Sequence, residues 1–327
     1  MKKTLALLLC ILLCVPCALA AEDDDLIGAW VLTRYAVDGR VIEHPAAAGS
    51  NKVVLFEADG SAVVTINENV YYGTWTAKGD RLHLLYEDGD QADFKMEDGQ
   101  LVYRPEGQIQ YFTRQVVYAE AADFVWRKLS DDSAEIIGYT GSASTLNIPS
   151  ELDGYPVRVI GTAAFASHEE LLSVTLPAGI DTIKPFAFMG CSRLFRISLP
   201  AGLTRIGTSA FQGCENLGSI AIPEGIDTLE YAVFQGCASL RAAGLPRSLR
   251  LIEAQAFADC DSLKGIVIPA GVETLADAAF SGCASMAEAI FPASLSAIYG
   301  APFAGCEGLA FIAPPNSYAA GWLAQNR

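Results

Sequence analysis

Cysteine is the residue type whose spacing first invites chemistry in this chain. Cys191, Cys214, Cys237, Cys260, Cys283 and Cys306 follow one another at intervals of 23 residues. In an oxidising compartment an even set of cysteines offers disulfides. Thiolates converging on one point would hold zinc. A constant interval argues against both. Groups that recur once per repeat are spread along an axis rather than gathered, so no metal site and no cofactor is expected. Neighbouring coils would lie close enough in principle for bridges. A column whose members all point one way reads instead as small, buried, apolar residues with free thiols. His168 stands in the same column, 23 residues before Cys191.

Other reactive groups are sparse. His44, His83 and His168 are scattered, and no H-E-x-x-H, G-x-S-x-G or phosphate-loop pattern occurs. Glycosidases need two facing carboxylates, and 38 acidic residues make chance pairs easy. Most of these acids fall in turns or beside a cysteine, as Glu215, Asp261 and Glu307 do, where a solvated surface is expected. Without a converging polar site the chain reads as a non-enzyme.

The cysteine interval belongs to a larger repeat. Phe188, Phe211, Phe234, Phe257, Phe280 and Phe303 each lie three residues before a Cys, and Phe165 lies three before His168. A proline follows each column member by nine residues, from Pro177 to Pro315. Between them, Leu194-x-x-Ile197-x-Leu199 and Leu263-x-x-Ile266-x-Ile268 have the leucine-rich strand pattern. Ile183, Ile206, Leu229, Ile252, Leu275 and Ile298 add a second internal column. One such unit cannot bury its own apolar face, so neighbours must stack into a solenoid. The Ala-Phe-x-Gly-Cys stretch predicts a short helical turn.

Alternation on the strand turns the intervening residues outward. From Ser173 and Thr175 to Phe311 and Ala313 these are nearly all small or apolar, with only Arg196 and Glu288 charged. Arg193, Arg196, Arg241 and Lys264 border the middle of this smooth strip. The strip, with Phe311 at its far end, is the candidate surface for a protein or glycan partner.

The units resemble BspA-type leucine-rich repeats of secreted and surface bacterial proteins, as in Ile206-Gly207…Ala210-Phe211-Gln212-Gly213-Cys214. Residues 136–157 look like that family's longer first unit, and residues 314–322 like its closing helix, so both ends are expected to be capped. Departures are Asp259 in place of Gly, and Ala243 and Ala289 in place of larger residues. The resemblance implies non-catalytic recognition.

Residues 21–115 have a different texture. Turn signals recur about every ten residues, among them Asp59-Gly60, Lys78-Gly79, Asp88-Gly89 and Asp98-Gly99. Eight strand-like runs are expected, at 26–36, 52–57, 61–67, 70–76, 81–86, 91–95, 100–104 and 108–114. Antiparallel strands in such a series point to an up-and-down β-barrel without exposed edges. Leu26-Ile27-Gly28-Ala29-Trp30, Gly73-Thr74-Trp75 and Tyr111-Phe112-Thr113-Arg114 resemble lipocalin-like domains of secreted bacterial proteins. That resemblance implies that Trp30 and Arg114 close one end of the barrel, by a cation–π contact. A barrel this small is expected to be filled by its own side chains, the alternative being a small-ligand cavity.

The remaining features bound the setting. Residues 1–20 have a basic start, an apolar core at 4–15 and an Ala18-Leu19-Ala20 exit, the layout of a signal peptide cleaved after Ala20. An uncleaved anchor is disfavoured by the short core. Lipid attachment is disfavoured by Pro16 before Cys17 and Leu13 before Cys14. The full chain has 327 residues and a net charge of −16, which excludes nucleic-acid binding in the absence of a basic patch. The expected organisation is a signal peptide (1–20), a lipocalin-like barrel (21–115), a linker (116–123) and a leucine-rich repeat solenoid (124–327), mainly β, secreted, with no membrane span in the mature chain. The function expected is recognition of a protein or glycan at a cell surface, the alternative being a small-molecule carrier.

Overall fold

The computed structural model describes residues 28–37, 40–43, 52–56, 61–66, 69–106, 108–114 and 121–325. The expected cleavage site, residue 115 and residues 116–120 of the expected linker lie outside them; residues 121–123 form a 3₁₀ turn. The chain divides into two compact units, Met1–Val116 and Val117–Arg327.

The first unit is an antiparallel meander of β1 (Gly28–Val37), β2 (Arg40–Glu43), β3 (Lys52–Phe56), β4 (Ser61–Ile66), β5 (Asn69–Lys78), β6 (Arg81–Tyr86), β7 (Gln91–Glu97), β8 (Gln100–Tyr103) and β9 (Gln108–Arg114). Each expected run contains a strand, and β2 is an addition. β1 is long enough to pair with β3 through its first half and with β2 through its second. Its other edge pairs with β9, with Leu32 opposite Phe112, so the sheet closes on itself. Alternation puts Trp30, Phe56, Trp75, Leu82, Leu84, Phe94 and Phe112 into one buried cluster. The rings meet at angles: Phe56 lies 5.2 Å from Trp75, and Phe94 lies 6.0 Å from Phe112. Gly73 is needed in the Gly-Thr-Trp motif because a Cβ there would collide with the Leu85 carbonyl on the next strand.

The second unit opens with the antiparallel hairpin β10 (Phe124–Lys128) and β11 (Ala134–Tyr139). Two columns of parallel strands follow. The first runs through β12 (Thr145–Asn147), β15 (Ser173–Thr175), β17 (Arg196–Ser198), β19 (Ser219–Ala221), β21 (Ala242–Gly244), β23 (Gly265–Val267), β25 (Glu288–Ile290) and β27 (Ala310–Ile312). The second runs through β14 (Tyr155–Ile160), β16 (Thr182–Ile183), β18 (Arg205–Ile206), β20 (Thr228–Leu229), β22 (Leu251–Ile252), β24 (Thr274–Leu275) and β26 (Ala297–Ile298). Through the middle of the array successive coils pair in register, for example Val174 with Ile197 and Ile252 with Leu275. The longer first unit is explained by a hairpin: β13 (Glu151–Leu152) folds back on β14 through Asp153 and Gly154, both at positive φ. At the far end α1 (Tyr318–Gln325) buries Ala319 and Leu323. The Ser317 hydroxyl accepts the Ala320 N–H at 3.2 Å, an N-cap that starts this helix.

The phenylalanine column is a continuous stack. From Phe165 to Phe303 successive ring centroids lie 5.1–5.4 Å apart and every pair is stacked. Tyr139 of β11 extends it, 5.7 Å from Phe165. Backbone bonds tie the stack together, as where Phe234 N donates to Ala256 O of the next coil at 2.9 Å.

Two expectations are corrected here. The Ala-Phe-x-Gly-Cys stretch is a run of turns, not a short helical turn. Phe186 and Gly190, with their counterparts in other coils, sit at positive φ, which interrupts any right-handed helix and turns their N–H groups toward the next coil. Phe311 does not face outward. Ala289 pairs with Phe311 rather than with Ile312, so the last strand is shifted by one residue. The small Ala289 leaves room for the Phe311 ring, which stacks on Phe291 at 5.7 Å and meets Phe303 edge-on at 5.2 Å. Phe311 is therefore a packing residue at the end of the core, because burying a ring of this size outweighs strict register.

Candidate functional site

The outward face of the first strand column is built by alternation around buried Ile197, Ile220 and Ile266. Ser198, Ala221, Gly244 and Val267 form one exposed row, with Val267 56% accessible. The neighbouring row runs from buried Ser173 through Arg196, Ser219, Ala242 and Gly265 to Glu288. Arg241 and Lys264 occupy the same position in successive coils, immediately before β21 and β23. Arg193 lies in the turn before β17, on the approach to Arg196. Four of the five residues singled out for the repeat surface thus border one strip, and Phe311 leaves it. In the first unit, Trp30 is buried and its Cα partner across β1 and β9 is Arg114, whose side chain lies outside the described residues.

The cysteine column has a structural use that its spacing did not reveal. Each thiol donates to the carbonyl of the phenylalanine one coil back: Cys191 to Phe165 at 3.0 Å, Cys237 to Phe211 at 3.3 Å and Cys306 to Phe280 at 3.1 Å, with Cys214, Cys260 and Cys283 alike. His168 does the same job in the first coil, its Nε2 lying 3.0 Å from the Tyr139 carbonyl. All six cysteines of this column are free. Burial pushes the Cys191 thiol up to about 12 and Cys214 and Cys237 well above the ordinary thiol range. A raised thiol pKa leaves almost no thiolate at neutral pH, and the thiolate is the reactive form. Iodoacetamide at neutral pH should therefore leave these six unlabelled in the native protein and label each of them after unfolding. Mass spectrometry reads the difference, and rapid native labelling of Cys214 or Cys237 would contradict this account.

A second polar feature could not be read from spacing. Glu135 of β11 is 2% accessible, yet it accepts hydrogen bonds from Arg127 of β10 (2.9 Å) and from Lys184 (2.9 Å). Burial pushes its carboxyl up, but the Lys184 and Arg127 bonds and charges prevail and hold it below the usual range. This triad ties the opening hairpin to the first repeats. On the first unit His83 Nδ1 lies 2.7 Å from Asp93, but both side chains are exposed, at 43% and 84%. Among the described residues no hydroxyl or thiol is bonded to His83. Nor do the described residues hold any group of three or more His, Cys, Asp or Glu able to bind a metal. No helix among them is long and apolar enough to cross a membrane.

Comparison with known proteins agrees with this geometry. A family model for the BspA-type leucine-rich repeat region matches in six copies, over residues 158–287 and 233–320. The crystal structure of a leucine-rich repeat protein of T. pallidum is 32% identical, with a TM-score of 0.56 over 63% of this chain and 95% of that one. A leucine-rich repeat protein from Eubacterium ventriosum shares the fold at 22% identity, with a TM-score of 0.50 over 56% of this chain and 50% of its own. No curated protein gives a significant match. The fold is thus that of a leucine-rich repeat solenoid, a class that presents an extended surface. The chain belongs to the BspA-type leucine-rich repeat family.

Proposed function

We propose that this is a secreted or cell-surface recognition protein that binds a protein or glycan partner through the outward strand face of its solenoid, without catalysis. The observation that carries this is the exposed row of Ser198, Ala221, Gly244 and Val267, flanked by Arg193, Arg196, Arg241 and Lys264, in a chain of net charge −16. Small side chains let a partner approach the sheet closely, and cations in an acidic protein favour an acidic partner and fix its register. Export through a leader cleaved after Ala20 belongs to this reading, and the first residue of the exported chain tests it. The carrier alternative would need a lipocalin-like first unit with an open interior. The buried cluster of Trp30, Phe56, Trp75, Phe94 and Phe112 supports the recognition reading over that one.

The test is capture from host and bacterial surface extracts with the full chain and with the R196E/R241E double variant. Loss of one charged contact at an interface costs about 1.5–3 kcal/mol, so saturable capture should fall by about tenfold or more. Equal capture by both proteins would remove the strand face from the reading.

A further inference from the structure

The closed sheet of the first unit carries a second, separate feature. On its outer surface one lateral row of Cα partners crosses six strands: Arg34 on β1, Tyr111 on β9, Val102 on β8, Lys95 on β7, Arg81 on β6 and Lys78 on β5. Three cations, Lys95, Arg81 and Lys78, are therefore directly opposite one another on adjacent strands. Like charges so placed repel and destabilise a sheet unless something neutral or anionic intervenes. The chain's acids do not fully answer them. Asp80 and Glu97 both lie 3.5 Å from Lys95, Glu97 also binds Arg104 at 2.6 Å, and Asp93 is turned to His83 at 2.7 Å. Lys78 and Arg81 have no carboxylate within ion-pair distance among the described residues.

The same row borders a cleft of about 370 Å³, lined by Lys78, Arg81, Lys95 and Arg104 together with the His83–Asp93 pair. That volume suits a small molecule rather than a macromolecular chain. Adjacent strands are about 4.8 Å apart, so the three cations span roughly 10 Å.

We propose that this cleft binds a small molecule carrying two or more anionic groups, with Lys78 and Arg81 as its principal contacts and Lys95 and Arg104 completing the cradle. Carboxylate and phosphate groups share the chemistry that these side chains recognise: Arg81 can hold either by a two-pronged hydrogen bond, and the lysines act as point charges. The site lies on the opposite side of the sheet wall from the packed interior and does not depend on the solenoid surface.

Calorimetric titration of the full chain with citrate and with inorganic tripolyphosphate, at low ionic strength, tests this. Saturable binding of one equivalent of either probe is expected, and the stronger probe identifies the preferred anion. Removing one charged contact should weaken binding by about tenfold, so Arg81→Gln and Lys78→Gln are each expected to raise the Kd by about that factor. Neither variant should lower the thermal midpoint of the free protein, because each relieves repulsion within the row. Absence of saturable binding by either probe, or an unchanged Kd in both variants, overturns the proposal. So does a lowered midpoint in both variants, since that would make the row a structural element satisfied from within.

Discussion

Phe234→Ala should cost the repeat unit about 3–5 kcal/mol, the range for truncating a fully buried phenylalanine. Phe234 is 0% accessible and lies mid-stack, 5.4 Å from Phe211 and 5.2 Å from Phe257. Removing its ring leaves a void that no side chain of the same coil can fill, because each neighbour is held in its own stack position. In a linear array, stability is a sum of unit terms and nearest-neighbour interfaces. Weakening both interfaces of one coil should therefore also lower cooperativity. Urea unfolding followed by tryptophan and far-UV signals is expected to show an earlier and broader transition for the solenoid. Phe234→Leu, which keeps most of the volume, should cost far less. A Phe234→Ala transition that coincides with the parent's would show that the stack is not the continuous spine described above.

Lys184→Met is expected to cost about 2–3 kcal/mol at neutral pH, at or just below the loss usual when a buried ion pair is broken from one side. The carboxylate of Glu135 is the buried partner, and after the substitution only Arg127 remains to it. The pH dependence carries a definite sign. Glu135 has a folded pKa held below its ordinary value. Its contribution to stability is thus present above the unfolded-state pKa and is lost as pH falls through the folded one. The gap between parent and Lys184→Met should consequently be full at neutral pH and close below the ordinary glutamate range. Denaturant midpoints measured across that range decide the matter, and a gap independent of pH would assign the loss to packing of the lysine stem. Both substitutions act within the solenoid, far apart in sequence, and the double variant should be close to additive.

Much of the repeat unit was legible because its periodicity is unbroken. A Phe, a Cys and a Pro at constant offsets place the same side chain at the same height in every coil, and stacking follows from the inability of one coil to bury itself. The alternating strands of the first unit were legible for a similar reason, since Leu82 and Leu84 share a face with no knowledge of their neighbours. The failures have particular causes. The period puts Phe311 on the outward face, but in the last strand the small Ala289 and the rings of Phe291 and Phe303 decide the register. The helical turn before each cysteine was expected from composition, but left-handed residues such as Phe186 redirect the backbone to hydrogen-bond between coils. β2 has no signal of its own in the chain, because its partner is the second half of β1, whose first half already pairs with β3.

The amino-acid sequence by itself determined what depends on order along the chain: the 23-residue period, the identity of the buried columns, the outward strip and the eight runs of the first unit. Only the tertiary structure decided what depends on residues distant in sequence meeting in space. The Cys191 thiol meets a carbonyl 26 residues earlier, Glu135 meets Lys184 49 positions later, and Lys78, Arg81 and Lys95 come into one row. Such contacts are set by coil stacking and strand pairing, and hydrogen bonds and ion pairs act over a few ångströms, so no local pattern in the chain announces them.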